Sequence, residues 1–333
     1  LPGVVDNATI EADICSVPPT RWTCTAPQDF QTAGADYART SHAQVAFSDA
    51  YCDLTFKWKY VDPIFNAASN RISNSGPVVY DTFVVCGFSS RYRFLSLNTG
   101  LVVGEFYGAG APYYLPTTGV NCTPTIAMVD VGGTPTPVMY VGSGNSSGYR
   151  VFAAYDMSNF VPGPIGMVPA QLWTVNASNY GAMGYTFPAT PMPQHIGATN
   201  WTNPIVLNLG GTDMVFFNTN DQYVWAANAA TGVRIWGPIV INGLTYKGMA
   251  TDGTNLYISN TPLLPTYPLG DITCWDAATG AAKWALSTAA GGGLKGATTM
   301  PDYGNETFVS GLAVYGGEVY TVSSAPEVDD PSG

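Results

Sequence analysis

Few side chains in this sequence have the type and spacing that chemistry requires. The chain has two histidines, His42 and His195. A Ser-His-Asp or Cys-His arrangement would need one of them beside an activated nucleophile, and no G-x-S-x-G elbow is present. Both therefore read as ordinary exposed or hydrogen-bonded residues. Paired carboxylates for glycoside hydrolysis are brought together by the fold, and nothing in the sequence singles out a pair. Glu327, Asp329 and Asp330 offer oxygen ligands of the kind Ca²⁺ takes, but without the spacing of a dedicated loop they read as a solvated tail. The stretch from Gly142 to Gly148 has the composition of a phosphate cradle, yet it joins strand-like runs and opens no helix, so it reads as a hairpin turn. Gly291 to Gly296 carries its lysine, Lys295, on the wrong side for a P-loop and reads as a connector. No catalytic, cofactor-binding or metal-binding residue is assigned, and no cofactor is expected.

The six cysteines are Cys15, Cys24, Cys52, Cys86, Cys122 and Cys274. None forms a C-x-x-C pair and no histidine lies near them, which argues against a zinc or iron–sulfur site. Up to three disulfides is the expectation, Cys15 and Cys24 being close enough for a local loop; the connectivity stays open, and free buried thiols are the alternative. Six Asn-x-Ser/Thr acceptors begin at Asn7, Asn121, Asn145, Asn176, Asn200 and Asn305. The chain opens Leu1-Pro2-Gly3, which reads as a processed mature form or a trimmed chain. Together these features point to a secreted or cell-surface protein bearing N-glycans.

Composition narrows the partners. Charged residues make up 11% of the 333-residue chain, and 12 Lys plus Arg stand against 23 Asp plus Glu, a net charge of -11. Such a chain is a poor electrostatic match for nucleic acid or anionic lipid. No run approaches the length of a transmembrane helix, so membrane insertion is not expected. Twenty Tyr, 14 Phe and 8 Trp are most simply used in packing, although Tyr107, Tyr113 and Tyr114 lie in a loop-like stretch where they could stack on a sugar or a protein.

The elements that must carry these residues are strands. Thirty-seven Gly and 25 Pro punctuate the chain, and no long segment has a period of 3.6. Hairpins are predicted over 77–87, 124–142, 204–218, 248–260 and 311–323. Between them a unit repeats. Trp225-Ala226-Ala227-Asn228-Ala229-Ala230-Thr231-Gly232 leads to Trp236, and Cys274-Trp275-Asp276-Ala277-Ala278-Thr279-Gly280 leads to Trp284, with Asx, Thr-Gly and Trp at identical spacing. Asn228 and Asp276 can close a tight turn through their side-chain oxygens, and Gly232 and Gly280 supply its φ > 0 position. A weaker copy at Leu95-Ser96-Leu97-Asn98-Thr99-Gly100 reads as a turn two residues shorter, with Gly104 in the place of the Trp. Another starts at Asp156 and reaches Trp173 only after a Pro- and Gly-rich insertion.

The Asx-Ala-Ala-Thr-Gly…Trp unit resembles the PQQ-like β-propeller repeat, found in quinoprotein dehydrogenases and in non-enzymatic propellers such as bacterial outer-membrane assembly factors. The segment from Gln28 to Thr40, followed by Phe56-Lys57-Trp58, is similar to the usual entry into such a propeller. The resemblance covers roughly residues 28 to 323 and implies an all-β propeller of about five four-stranded blades, four and six being the alternatives. It implies Trp58, Trp173, Trp236 and Trp284 as blade-locking residues. The adjacent cysteine pair that many quinoprotein dehydrogenases hold over the cofactor has no counterpart here, so the non-enzymatic branch is expected. The predicted domains are an N-terminal arm over 1–40, the propeller over 41–325 with a closing strand near 55–60, and an acidic tail over 326–333. A structural or interaction module is expected, joined to copies of itself or to other extracellular proteins, with a subunit of a repeating assembly or filament as one form of it. The competing expectation is a secreted carbohydrate-binding protein or enzyme using the central pocket.

Overall fold

The computed structural model describes residues 76–88, 91–107, 122–143, 151–158, 160, 169–175, 181–185, 203–219, 223–241, 249–259, 271–287, 307–308, 312–320 and 323–324. The predicted arm, the closing strand near 55–60 and the acidic tail lie outside the described residues. Every described element is a strand, and the chain is a β-propeller. Blade 1 contains β1 (Val78–Tyr80), β2 (Phe83–Phe88), β3 (Arg91–Ser96) and β4 (Val102–Tyr107). Blade 2 contains β5 (Thr125–Val131), β6 (Thr134–Ser143), β7 (Val151–Asp156) and β8 (Ala170–Val175). Blade 3 contains β9 (Ile205–Leu209), β10 (Thr212–Thr219), β11 (Tyr223–Asn228) and β12 (Arg234–Val240). Blade 4 contains β13 (Met249–Thr251), β14 (Asn255–Ser259), β15 (Asp271–Asp276) and β16 (Ala282–Ser287). Each is a four-stranded antiparallel meander in chain order. A further hairpin belongs to a fifth blade, with β17 (Thr307–Phe308) paired to β20 (Ser323–Ser324) and β18 (Ala313–Tyr315) paired to β19 (Glu318–Tyr320).

All five predicted hairpins are present. Three close through Gly-Gly, at Gly132-Gly133, Gly210-Gly211 and Gly316-Gly317, with φ between 61° and 86° at each residue. Two consecutive positive φ values make the primed turn whose twist matches that of the flanking strands. The weaker copy in blade 1 departs from its predicted alignment. Gly100 N–H donates to Ser96 O as Gly232 N–H donates to Asn228 O and Gly280 N–H to Asp276 O, all at 2.8 Å. Ser96, not Asn98, therefore holds the Asx place, its Oγ accepting from Thr99 N at 3.3 Å. The turn has the same length in all three blades.

The core lies between blades. Blade 1 packs on blade 2 through Val85, Tyr92 and Phe94 against Ile126, Met139 and Tyr155. Blade 2 packs on blade 3 through Tyr140, Phe152 and Trp173 against Phe217 and Trp225, with Phe152 and Phe217 stacked at 4.1 Å. Blade 3 meets blade 4 through Phe216 and Trp236 against Met249 and Leu256, and blade 4 meets the fifth-blade hairpin through Tyr257 and Cys274 against Leu312 and Val314. First strands lie side by side, β1 with β5 and β13 with β18. Residues entering these strands are tied in series: Gly76 N–H donates to Thr123 Oγ1 at 2.8 Å, Thr123 N–H to Asn203 Oδ1 at 3.2 Å and Thr125 Oγ1 to Pro204 O at 2.7 Å. Alternation along each strand, period two, is what gives both faces of a sheet an apolar side to bury.

Candidate functional site: the seams between blades

The repeated turn is built from one side chain. Asn228 Oδ1 accepts from Ala230 N, Thr231 N and Thr231 Oγ1 at 2.9 to 3.1 Å. Asp276 Oδ1 accepts from Thr279 N at 3.0 Å and Thr279 Oγ1 at 2.9 Å. The threonine hydroxyl then accepts from the residue after the glycine, Val233 in one copy and Ala281 in the other. This satisfies donors that the bend takes away from the strand ladder.

Each such turn receives the tryptophan of the preceding blade. Trp173 on β8 donates its ring N–H to Ala229 O in blade 3 at 2.9 Å. Trp236 on β12 donates to Ala277 O in blade 4 at 3.0 Å. Both indoles are nearly buried, at 6% and 9% exposure. The glycine of the receiving turn lies under the ring: a Cβ at Gly232 (φ +72°) would stand 2.6 Å from Trp173 Cδ2, and one at Gly280 (φ +70°) 2.9 Å from Trp236 Cδ2. The glycines thus serve the turn and the seam together, since no larger residue fits beneath the indole.

The seam between blades 1 and 2 is filled in the opposite sense. Gly104 on β4 pairs with Phe94, as Trp236 pairs with Ala226 and Trp284 with Cys274. Met157 N–H donates to Pro137 O just as Ala229 N–H donates to Asp213 O and Ala277 N–H to Thr254 O. Asp156 therefore stands at the Asx place of blade 2, and Phe160, four residues on, stands at the position of Gly232. Its ring lies 4.4 Å from that of Phe94 and 5.9 Å from that of Phe83, and a Cβ at Gly104 would lie 3.3 Å from Phe160 Cζ. Large and small have changed places across the seam. The sequence contains this exchange, but Phe160 sits in an interrupted turn with no Thr-Gly to mark it.

Trp284 differs. It is 45% exposed, and its described ring contact is with Tyr257 of its own blade at 5.9 Å. Around it runs a polar network. Asp252 Oδ2 accepts from Tyr257 OH at 2.8 Å and from Asn255 Nδ2 at 2.7 Å. Lys283 Nζ donates to Asn255 Oδ1 and lies 3.3 Å from Asp276 Oδ2. Burial works against the charged form of Asp252, but hydrogen bonds from Asn255, Thr254 and Tyr257 outweigh it and hold the carboxyl below its usual range. Tyr257 is pushed up to about 12 by burial and by its bond to Asp252. Hydrogen bonds from the Thr279 hydroxyl and backbone lower the Asp276 carboxyl, with Lys283 adding to the effect.

Among the described residues no disulfide joins Cys86, Cys122 or Cys274, so the disulfide expectation finds no support there. They sit on separate blades or strands and are used for packing. Cys122 Sγ donates to Thr123 O at 3.3 Å and accepts from Gly142 N–H at 3.2 Å, while Tyr92 OH donates to the carbonyls of Cys122 and Gly142. Burial pushes the Cys86 thiol up to about 12 and also raises Cys274, so both are protonated and inert near neutral pH. Cys15, Cys24 and Cys52 lie outside the described residues. So do Trp58, both histidines, all six acceptor asparagines, Tyr113, Tyr114 and the acidic tail. Among the described residues no cluster of three or more His, Cys, Asp or Glu is placed to hold a metal ion.

No protein-family model and no curated protein matches the chain. Solved structures do. Quinohemoprotein alcohol dehydrogenase from Comamonas testosteroni is 17% identical with a TM-score of 0.47, over 96% of this chain and 47% of that one. BamB from Moraxella catarrhalis is 14% identical with a TM-score of 0.32, over 62% of this chain and 61% of that one. Sqt1 from Saccharomyces cerevisiae is 11% identical with a TM-score of 0.37, over 61% and 43%. The chain thus spans about half the length of the dehydrogenase. The fold assignment rests on the blades and seams described above.

Proposed function

We propose that this protein is an extracellular, N-glycosylated β-propeller that serves as a structural or interaction module, with copies of itself or other extracellular proteins as partners. The observation that supports it most is the placement of exposed aromatic side chains. Among the described residues those at Trp284 (45%), Tyr315 (71%) and Tyr320 (49%) lie on blade 4 and the fifth-blade hairpin. Aromatic rings carry much of the energy of protein interfaces because they bury a large area with few rotors. The charged groups beside Trp284 are already committed to one another, which leaves its indole as the apolar feature of that face. Within the module, Trp173 and Trp236, with Asn228, Asp276, Gly232 and Gly280, hold blade to blade and take no part in catalysis. Sparse charge favours partners that are neither nucleic acid nor membrane.

Light scattering and negative-stain electron microscopy of the native protein test this reading. A multimer or filament that shrinks on Trp284→Ala with Tyr315→Ala supports it. A monomer at all concentrations, with the double variant indistinguishable from the native chain, overturns self-assembly. Loss of mass on enzymatic deglycosylation is expected in secreted material, and an unchanged mass overturns the glycoprotein reading.

A further inference from the structure

Blade 4 carries polar residues at places where blades 2 and 3 carry apolar ones. The strand register aligns the three blades. Val138, Met214 and Asn255 pair with the Asx residues Asp156, Asn228 and Asp276. Two residues on, Tyr140, Phe216 and Tyr257 pair with Ala154, Ala226 and Cys274, which on their other side pair with Trp173, Trp236 and Trp284. Leu172, Ile235 and Lys283 directly precede those tryptophans. Val138 and Met214, at 0% and 3% exposure, pack with their blade's indole into the seam. In blade 4, Asn255 and Lys283 take the apolar places, and Lys283 Nζ donates to Asn255 Oδ1. The tyrosine is redirected as well. Tyr140 OH donates across its seam to Ala229 O at 3.0 Å, whereas Tyr257 OH donates to Asp252 Oδ2 of its own blade at 2.8 Å. An amide, an ammonium and two carboxylates suit a hydrated surface better than a dry seam.

These groups share one face. Asn255 and Tyr257 are two apart on β14, as Cys274 and Asp276 are on β15. Tyr257, Cys274 and Trp284 form a row across three strands. Part of this face, at Ile272 and Cys274, packs with Leu312 and Val314. Beside it stands the Trp284 indole, 45% exposed and tilted 47° to the Tyr257 ring. Trp173 and Trp236 give their ring N–H to carbonyls, but among the described residues that of Trp284 has no acceptor. Lys283 has a third N–H beyond those directed to Asn255 and Asp276, and Asp276 Oδ2 keeps a lone pair.

We propose that this face is a shallow binding site for a neutral pyranose, with the C–H face of the sugar on the Trp284 indole and its hydroxyls on Lys283 Nζ and Asp276 Oδ2. A pyranose has an apolar face and a rim of hydroxyls that both donate and accept, which is the chemistry of an aromatic platform edged by fixed polar groups. N-linked glycans and neutral polysaccharides share that chemistry. The site stands on β14, β15 and β16, away from the first strands and hence from the centre of the ring. It rests on the reading of Trp284 as a contact residue and names the chemistry of what it contacts.

Saturation-transfer NMR and titration calorimetry of the full chain test it with two probes, the trimannosyl-chitobiose core of N-linked glycans and cellohexaose. Binding with Kd about 0.1–1 mM is expected for a single open platform. Trp284→Ala should weaken it at least tenfold and Trp284→Tyr about threefold. Asn255→Val with Lys283→Leu installs the residues of blade 2 and keeps the indole; it should weaken binding about fivefold while the thermal midpoint moves by less than about 5 °C. Binding of the core alone identifies a glycoprotein glycan as the source, and binding of cellohexaose alone a polysaccharide; either supports the site. Binding of neither probe, or equal binding by the native chain and Trp284→Ala, overturns it. A Trp284-dependent multimer that binds neither probe overturns the sugar site and leaves the interaction module standing, whereas a monomer that binds one supports the site and overturns self-assembly.

Discussion

Trp236 and Trp284 occupy the same place in consecutive copies of one sequence unit, and the molecule uses them differently. Trp236 is 9% exposed and hydrogen-bonded across a seam; Trp284 is 45% exposed and touches its own blade. Their local sequences, turns and strand register agree: both follow a β-bulge, and each pairs with the residue two places before the Asx of its turn, Ala226 or Cys274. What differs is the next blade. Blade 4 offers Trp236 a bare glycine and a free carbonyl, and no described turn offers Trp284 either. A residue in a repeat protein is therefore only half specified by its own repeat; the other half is the neighbour that receives it.

The sharpest way to break this comparison is to remove each ring. Trp236→Ala should cost about 3–5 kcal/mol, as expected for a buried aromatic side chain, and Trp284→Ala about 0.5–1 kcal/mol, both measured by urea denaturation. Equal costs would mean that Trp284 is buried in solution. Next come the receiving glycines. Gly280→Ala should cost about 2–4 kcal/mol, because its methyl would meet the Trp236 ring and its φ is left-handed. Gly253→Ala has φ +91° with open space around it, so strain alone should cost about 1 kcal/mol. The difference between the two isolates the seam from the turn.

A third test exchanges the sense of a seam. Gly104→Trp alone should destabilise by about 1–3 kcal/mol through collision with Phe160, and adding Phe160→Gly should recover at least half of that. Without recovery, the two positions are not partners. The smallest effect concerns the Asx residues. Asn228→Ala should cost about 1 kcal/mol, since its oxygen accepts three donors in an exposed turn. Asp276 titrates where Asn228 does not. Its folded-state pKa lies below its ordinary value, so its contribution is present above pH ~4 and is lost as pH falls through the folded value. Denaturation followed from pH 6 down to about pH 2 should therefore show an acid-dependent loss that Asp276→Asn reduces.

Much of this architecture was legible in the sequence because its signals are local. Gly-Gly between two β-rich runs announces a hairpin, and Asx followed three and four residues later by Thr-Gly announces the turn. The all-β class, the five hairpins and the repeat itself follow from such patterns. Blade 1 shows where local reading goes astray. Asn98 beside Thr99-Gly100 has the better turn chemistry, yet Ser96 holds the Asx place, since the bond from Gly100 N–H to Ser96 O fixes the register. The cysteines show the same limit: composition permits disulfides, whereas none joins Cys86, Cys122 or Cys274, the latter two buried and Cys86 in a strand of blade 1.

By itself the sequence determined which residues turn, which strands pair with their neighbours in the chain, and which charge sign the surface carries. Those properties depend on backbone sterics and on contacts within some ten residues. Only the tertiary structure decided that Phe160 fills the place left by Gly104, that Gly232 and Gly280 lie beneath indoles from the blade before, and that one of two equivalent tryptophans stays in solvent. Each turns on the presence or lack of a contact across a seam, and the contacts join segments 40 or more residues apart, where close packing depends on the shape of both faces at once.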